Sequence, residues 1–227
     1  MSDEAATRRG RFISFEGPEG SGKSTQARRL VEWLTAAGQA VTAVREPGGT
    51  PLGEAIRQIL QHDAAGEAPV AAAETLLFEA SRAQLAATVI GPALADGGIV
   101  VCDRYADSTT AYQGYGRGFD IERILTLHDF AVNGLYPDLT VLIDVPPETG
   151  FARLRERAHE SGAGLDRMEC EAQAFHVRVR DGFLALAARF PERITVVDGT
   201  AGIETVTACV REAVVALLAS DARKGDR

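Results

Sequence analysis

The sequence predicts an α/β fold with three layers, in which a five-stranded parallel sheet is covered by helices on both faces. Five short apolar runs recur along the chain, and each is followed directly by an acidic residue or by an Arg-Glu pair. Helical patterns separate the runs, which is typical of parallel strands buried on both faces. The predicted strands are Phe12–Phe15, Val41–Val44, Ile99–Cys102, Thr140–Ile143 and Ile194–Val197.

The charged residues at the strand ends indicate where a ligand binds. Glu16, Asp103, Asp144 and Asp198 each come directly after a predicted strand. Because the carboxyl ends of parallel strands meet at one edge of the sheet, we expect these side chains to surround a single crevice.

The helices are predicted from apolar residues at helical spacing. The first ends near Gly38, a residue that suits a helix terminus, and a long helix is expected from about Ala72 to Ala95. We interpret the apolar stripes as core-facing. The stripes are Ala27, Leu30, Val31 and Leu34 on the first helix, Leu77, Ala80, Gln84 and Ala87 on the long helix, and Val206, Cys209, Val210, Ala213, Val214 and Leu217 near the C-terminus.

The segment between the first strand and the first helix predicts a phosphate-binding loop. Residues 17–24 read Gly-Pro-Glu-Gly-Ser-Gly-Lys-Ser, the pattern G-x-x-x-x-G-K-[ST]. Glycines let successive N–H groups point at one spot, and the following helix adds its positive N-terminal end. Lys23 is expected to reach the β and γ phosphates of a nucleoside triphosphate, and the Ser24 hydroxyl to hold Mg²⁺. The predicted triphosphate-binding residues are Gly17, Pro18, Glu19, Gly20, Ser21, Gly22, Lys23, Ser24 and Thr25.

Length and composition narrow the class of protein. The 227 residues, 45% apolar, suit one globular domain over residues 1–227. A net charge of −8 argues against broad binding to nucleic acid or to a membrane surface, which needs an extended basic face. We expect a cytoplasmic protein, since no apolar run approaches the roughly 20 residues of a membrane span and no signal peptide is evident. Cys102, Cys170 and Cys209 lack metal-ligand spacing and are expected to be reduced, buried thiols.

Further polar clusters predict a second ligand beside the triphosphate. Phe78 and Arg82 are four residues apart on the long helix, so that a ring and a guanidinium share one face and could hold a base. Asp103 and Arg104 follow the third strand, where the carboxylate can organise Mg²⁺ and the arginine a phosphate. Hydroxyl and amide groups follow at Ser108, Thr109, Tyr112 and Gln113. Together these groups describe a pocket for a nucleoside monophosphate, which indicates a kinase.

The motifs resemble those of bacterial thymidylate kinases. The match spans roughly residues 12–198, and residues 165–169 and 175–183 are similar to the end of that family's lid and to its next helix. The resemblance implies the P-loop kinase fold and transfer of the γ-phosphoryl group of ATP to dTMP, which gives dTDP for dTTP synthesis. It also implies a Mg²⁺ requirement and a homodimer. Besides the phosphate-binding loop, the matching motifs are Arg-Glu-Pro-Gly-Gly at 45–49, Leu-Leu-Phe-Glu-Ala-Ser-Arg at 76–82, Asp-Arg-Tyr at 103–105 and Ala-Tyr-Gln-Gly at 111–114.

The resemblance assigns roles in the acceptor pocket residue by residue. It implies that Phe78 stacks on thymine and that Arg82, with Gln113 or Thr109, reads the polar edge of the base. Arg104 and Arg57 would hold the 5′-phosphate. Glu19 would approach the sugar, and Tyr112 would crowd out a ribose 2′-hydroxyl. Asp103 and Ser24 would place Mg²⁺. The implied dTMP-binding residues are Glu19, Arg57, Phe78, Arg82, Arg104, Ser108, Thr109, Tyr112 and Gln113.

The resemblance also implies a source of catalytic charge. Some thymidylate kinases carry an arginine in the phosphate-binding loop, but Gly20 occupies the matching position here. In the subgroup without it, arginines of a mobile lid take over, and this lid is expected at about residues 150–168. Which lid arginine reaches the phosphates stays open, with Arg167 as a further candidate. The candidate catalytic residues are Lys23, Arg104, Arg153, Arg155 and Arg157.

Two other functions stay open at this point. A kinase for another deoxynucleotide or nucleoside would share the fold and the loop and would differ in its contacts to the base. A nucleotide switch or partner-coupled NTPase is less well supported, because the Asn-Lys-x-Asp motif that reads guanine is missing. The sole asparagine, Asn133, is followed by Gly134.

Overall fold

The computed structural model describes residues 10–62, 66–161, 168–169 and 171–222, and it contains the predicted sheet. The five strands are parallel and lie in the order β2-β3-β1-β4-β5. Each predicted run lies within an observed strand and differs from it by at most one residue at either end. The strands are β1 (Arg11–Glu16), β2 (Val41–Arg45), β3 (Ile99–Asp103), β4 (Leu139–Asp144) and β5 (Ile194–Asp198).

Helices connect the strands, and two of the helical paths contain a π-helical segment. The α-helices are α1 (Lys23–Ala36), α2 (Pro51–His62), α3 (Ala71–Leu85), α4 (Gly91–Ala95), α5 (Ala106–Thr109), α6 (Ile121–Val132), α7 (Pro147–Ser161), α8 (Gln173–Arg189) and α9 (Ile203–Ala222). The π-helical segments are Ala86–Ile90 and Thr110–Gly116.

Alternate residues of the central strand β1 build the cores on the two faces of the sheet. Ile13 packs with Leu30 of α1 and Val210 of α9 on one face. Phe12 packs on the other face with Leu94 of α4. The period of two in a strand sends neighbouring side chains to opposite faces. Helices therefore cover both faces, which confirms the predicted layers.

The long predicted helix is continuous from α3 through α4, with the π-helical segment in its middle. Pro92 has no N–H to donate to the carbonyl of Thr88 four residues earlier, and a missing bond of this kind loosens the helix just before it. The pattern of apolar residues predicted the length of this path but not the interruption.

The prediction of which face of the long helix is buried was wrong. Ala80 and Ala87 are exposed, whereas Glu74, Arg82 and Leu85 are buried. Charged residues are buried when they pair with one another, and a hydrophobic stripe cannot reveal such pairing. The buried face of α3 is therefore largely polar.

The C-terminal helix carries the predicted stripe, with one exception. Val206, Val210 and Val214 are buried against α1 and the sheet, as expected. Cys209 is exposed, which corrects the expectation of buried thiols, since it lies beside the stripe. Cys102 is buried as predicted, and Cys170 lies outside the described residues. In the part of the chain that the structure describes, no helix is both long and apolar enough to span a bilayer.

Candidate active site

A cavity of about 550 Å³ opens at the carboxyl ends of the strands and gathers most of the predicted site residues. Its walls come from the phosphate-binding loop, the end of β2, α2, α3, the segment after β3 and the middle of α7. Of the predicted residues, those that do not line it are Gly17, Pro18, Ser21, Arg82 and Arg155. Arg167 lies outside the described residues.

The phosphate-binding loop joins β1 to α1 in a conformation that glycine allows. Gly20 has φ +68° and Gly22 has φ +94°, both in the left-handed region. A Cβ atom at position 20 would lie 2.2 Å from the carbonyl oxygen of Gly150 on α7. This packing of the loop against the helix is therefore incompatible with an arginine at position 20.

Lys23 is the buried cation of the loop. Its ammonium donates to the Pro18 carbonyl over 2.7 Å and lies 3.3 Å from the Ser21 hydroxyl. Burial, and next the neighbouring Arg104 charge, lower the pKa of Lys23 to about 8. A phosphate oxygen in place of the neutral carbonyl would favour the charged form, which suits the ammonium to an anionic ligand.

Arg104 lines the cavity from a left-handed backbone, with φ +71°. Its guanidinium pairs with Glu19 at 2.5 Å, donates to Ser108 and Tyr112, and lies over the Tyr112 ring. Burial alone would raise the pKa of Glu19, but the charges of Arg104 and Lys23 lower it to about 2. Such a strained backbone in a non-glycine residue is typical of functional sites.

Glu16 was expected at the edge of the crevice with the other strand-end carboxylates, but of these four groups Asp103 lines the cavity, and Glu16 lies behind its wall. It is completely buried, and it accepts hydrogen bonds from the Tyr105 N–H at 2.7 Å and the Ser108 hydroxyl at 2.5 Å. Burial, together with the charge of Asp107, raises the pKa of Glu16 to about 8. The carboxyl group thus ties the end of β1 to the segment that carries Arg104.

The donor set near the phosphate-binding loop fits a hydrated Mg²⁺ ion. The Ser24 hydroxyl and the Asp103 carboxylate both line the cavity. Mg²⁺ is commonly bound by one or two protein oxygens, with waters and substrate phosphates as the other ligands. Among the described residues, no group of three or more His, Cys, Asp or Glu residues could hold a metal ion. These two oxygens therefore suit an ion that arrives with a nucleotide.

The end of the cavity beside α3, which we call the base end because the sequence predicts a base there, combines an aromatic ring with uncharged polar groups. Phe78, Thr109 and Gln113 line it, although Thr109 and Gln113 are otherwise buried. Arg57 reaches the same cavity from α2 and donates to the Pro47 carbonyl over 3.0 Å. The structure thus brings an aromatic ring and uncharged hydrogen-bonding groups into the same cavity.

Arg82 was predicted to contact the base of the second nucleotide, but it does not line the cavity. Its side chain is 1% exposed, between Glu46 at 2.8 Å and Glu79 at 2.6 Å, and its Nη2 donates to Thr109 over 2.9 Å. Burial would lower the pKa of Arg82, but the two carboxylates raise it above its ordinary value. The guanidinium lies behind the lining residue Thr109, and direct contact with a base stays a prediction.

The three arginines of α7 do not share one environment, because Arg153 and Arg157 are four residues apart on one face of the helix and Arg155 lies between them on another. Arg153 lines the cavity and donates to the carbonyls of Gly199 at 2.9 Å and Gly20 at 3.4 Å. Arg157 also lines it and pairs with Glu169 at 2.6 Å. Arg155 is exposed and does not line the cavity. Of the expected lid, residues 162–167 lie outside the described residues.

The polar residues that sequence reasoning missed form a buried network around the base end. Gln113 donates to Glu74 over 2.9 Å, and Arg117 donates to the same carboxylate over 3.2 Å. Glu74 lies four residues before Phe78, which places both on one face of α3. That spacing could have identified Glu74.

Comparison with known proteins associates this arrangement with one family. The family model "Thymidylate kinase" matches residues 15–210. The chain is 51% identical to the thymidylate kinase of Trichlorobacter lovleyi, over 92% of this chain and 98% of the relative. It is 49% identical to that of Nitratidesulfovibrio vulgaris, over 93% and 99%. The crystal structure of thymidylate kinase from Ehrlichia chaffeensis is similar with a TM-score of 0.72 and 37% identity, covering 91% of this chain and 98% of that one.

Proposed function

The chain belongs to the thymidylate kinase family, and from this premise we infer that it transfers the γ-phosphoryl group of ATP to thymidine 5′-monophosphate. The products are dTDP, a precursor of dTTP, and ADP. One observation carries this inference. A single cavity holds a phosphate-binding loop together with an aromatic ring, an amide and an arginine that suit a second nucleotide. We place the reaction in the cytoplasm, where these nucleotides occur.

The donor nucleotide is proposed to bind at the phosphate-binding loop. Backbone N–H groups of residues 19–25 surround the phosphates, and the Lys23 ammonium exchanges the Pro18 carbonyl for a phosphate oxygen. Ser24 and Asp103 would hold Mg²⁺, which neutralises charge on the phosphates when bound. The chain's own contribution is to orient the γ-phosphoryl group towards the acceptor.

The acceptor nucleotide is proposed to bind along the rest of the cavity. Phe78 stacks on thymine, and Gln113 and Thr109 face the polar edge of the base. Arg104 and Arg57 hold the 5′-phosphate. In the structure Arg104 is paired with Glu19, so a bound phosphate shares or replaces that carboxylate.

The sugar is proposed to lie against the pair formed by Tyr112 and Glu19. The Tyr112 hydroxyl donates to Glu19 over 2.7 Å, and this bond fixes the ring at the cavity wall. A ring held in this way leaves little room for a ribose 2′-hydroxyl. The pocket therefore favours a deoxyribonucleotide.

Arg153 is proposed to supply charge to the phosphoryl group in transfer. Its described hydrogen-bond partners are two neutral backbone carbonyls, one of them in the phosphate-binding loop. Neutral acceptors are weaker partners than phosphate oxygens, so the guanidinium can move to the phosphates at small cost. Arg157 is the second choice because it must first leave Glu169.

The protein is also proposed to form a homodimer through α3 and α6, which pack against each other. Phe130 of α6 is 90% exposed, and Leu76, Ala80 and Ala87 are exposed on the helical path of α3. A ring so exposed is better accommodated at an interface. Phe130→Ser should shift the mass measured by light scattering towards the monomer, and an unchanged mass would argue against this surface.

A coupled assay of ADP release tests the proposed reaction. The protein would be incubated with ATP, Mg²⁺ and one of dTMP, dUMP, dCMP, dAMP or dGMP. The highest kcat/KM is expected for dTMP, and chelation of Mg²⁺ by EDTA should abolish turnover. Release of ADP that does not depend on any monophosphate would indicate an NTPase, and a preference for another monophosphate would overturn the assigned acceptor.

A further inference from the structure

The Gln113 amide is held in one orientation by a residue behind the cavity. Gln113 lines the cavity, whereas Glu74 does not and is completely buried. The Gln113 Nε2 donates to Glu74 Oε1 over 2.9 Å. A carboxylate only accepts hydrogen bonds, so the NH₂ end of the amide must face it. The carbonyl oxygen of Gln113 accepts no hydrogen bond from any other described residue, and it is the end left for the cavity.

Arg117 keeps the Glu74 carboxylate in place. Its Nε donates to Glu74 Oε1 and its Nη2 to Glu74 Oε2, both over 3.2 Å. Arg117 also pairs with Glu171 at 2.7 Å and lies over the Phe175 ring. Burial would lower the pKa of Arg117, but the bonds to Glu74 and Glu171 raise it. The Glu74 carboxylate thus accepts hydrogen bonds from both Gln113 and Arg117, and Arg117 fixes its position.

The Thr109 hydroxyl offers a hydrogen-bond donor to the cavity, whereas Gln113 offers an acceptor. Arg82 donates to the Thr109 hydroxyl oxygen over 2.9 Å, and an arginine cannot accept a hydrogen bond. The hydroxyl proton has no acceptor among the described residues, which leaves it available to the cavity. The base end therefore offers an acceptor at Gln113 and a donor at Thr109.

We propose that Glu74 is a specificity-determining positioning residue, whose carboxylate turns the Gln113 carbonyl oxygen towards the base and so selects pyrimidines that carry a hydrogen on N3. This inference rests on the proposed function, in which Gln113 faces the edge of the acceptor base. Thymine and uracil have an N3–H donor and an O4 acceptor, which match the two groups. Cytosine has an unprotonated N3, and its lone pair would meet the Gln113 oxygen.

The decisive experiment compares kcat/KM for dTMP and dCMP in Glu74→Gln. The variant side chain has one acceptor oxygen for the three donor groups of Gln113 and Arg117, so the Gln113 amide is free to turn its NH₂ to the cavity. The ratio of dTMP to dCMP should fall by about tenfold or more, the usual effect of one mismatched buried hydrogen bond. A ratio within about twofold of wild type in a variant with a normal melting curve would overturn the proposal.

Arg117→Met is the matched control. It removes the same ion pair while leaving the Glu74 carboxylate for Gln113, so it should lower stability and leave the dTMP to dCMP ratio unchanged. A fall of the ratio equal to that in Glu74→Gln would show that the network acts only through rigidity. If Glu74→Gln does not fold, Glu74→Asp retains the charge and withdraws the oxygen from Gln113. A smaller fall in the ratio is then expected, and no fall would count against the proposal.

Gln113→Met separates this inference from the function on which it rests. If KM for dTMP is unchanged in Gln113→Met, Gln113 does not face the base and the assigned pocket is wrong. If KM for dTMP rises in Gln113→Met but the Glu74→Gln ratio is unchanged, the pocket stands and the role of Glu74 is refuted.

Discussion

The two ends of the cavity use arginine in opposite ways. At the phosphate end, Arg153 donates to backbone carbonyls, and at the base end, Arg82 is buried between two carboxylates. A bond to a neutral carbonyl can be exchanged for one to a phosphate, whereas removal of a buried charge leaves its partners uncompensated. The comparison teaches that Arg153 can change partners at small cost, whereas Arg82 belongs to a buried ion-pair network that is already assembled without a ligand.

The largest effect should come from breaking the base end. Arg82→Ala leaves Glu46 and Glu79 buried without their common partner, and we expect unfolding to become easier by about 3–5 kcal/mol. Urea unfolding followed by circular dichroism measures this loss. Arg29→Ala is the control, because Arg29 pairs with the exposed Glu204 at a similar 2.6 Å and exposed pairs contribute about 0–1 kcal/mol. A stable Arg82→Ala whose sole defect is a raised KM for dTMP would restore Arg82 to direct contact with the base.

The phosphate end should respond in rate rather than in stability. Lys23→Met removes an ammonium whose described hydrogen bonds go to a carbonyl and a hydroxyl of its own loop. We expect turnover to fall by roughly 10²–10³-fold with an unchanged melting temperature, since the lost charge acts on the phosphates. Steady-state kinetics and thermal melting of one preparation test both parts. Activity within about tenfold of wild type would contradict a role in transition-state stabilisation.

The α7 arginines provide a matched pair within the phosphate end. Arg153→Ala should lower kcat by roughly a hundredfold with smaller changes in KM, because it acts mainly in the transition state. Arg155→Ala, two residues away and exposed, should leave kcat nearly unchanged. Arg153→Lys should rescue poorly, because a point charge cannot form a planar two-pronged contact. Equal effects at positions 153 and 155 would show that the outcome depends on net charge and not on position.

The last effect concerns the pH dependence of stability, through Glu16. The pKa of Glu16 is raised from 4.5 to about 8. A raised carboxyl pKa favours the folded state fully below pH 4.5, and this contribution is lost as the pH rises through 8. Glu16→Gln imitates the protonated form, so its melting temperature relative to wild type should increase between pH 5 and 8. A difference that does not depend on pH would mean that Glu16 titrates normally.

Much of the phosphate end could be predicted because its chemistry is local in the sequence. The loop residues from Gly17 to Thr25 are contiguous, and a strand before them and a helix after them are enough to orient their N–H groups. Asp103 at the end of β3 and Arg104 directly after it could be predicted from the rule that ligands bind at the carboxyl ends of parallel strands. The same locality identified Arg153, Arg155 and Arg157 as one group but could not rank them.

At the base end, the sequence did not predict which charged residues are buried, because their burial depends on partners that are distant in the sequence. Phe78, Thr109 and Gln113 were assigned to the pocket from motifs, and the structure brings them to one wall. The stripe through Ala80 and Ala87 was predicted to face the core, but both residues are exposed. The buried face of α3 contains Glu74 and Arg82 instead, and a pattern of hydrophobic residues cannot predict that charged residues are buried.

By itself the sequence determined the sheet, the phosphate-binding loop and the crevice, since these follow from periodicity and from contiguous motifs. Only the tertiary structure decided which arginine is exposed, which is buried and which faces the cavity. A helix places residues two apart on diverging sides, and the packing of other elements then sets the environment of each side. Electrostatic partners such as Glu46 for Arg82, or Glu74 for Gln113, meet across 36 and 39 residues of chain. The fold creates such pairs, because no local pattern specifies which distant groups come to lie within hydrogen-bonding distance.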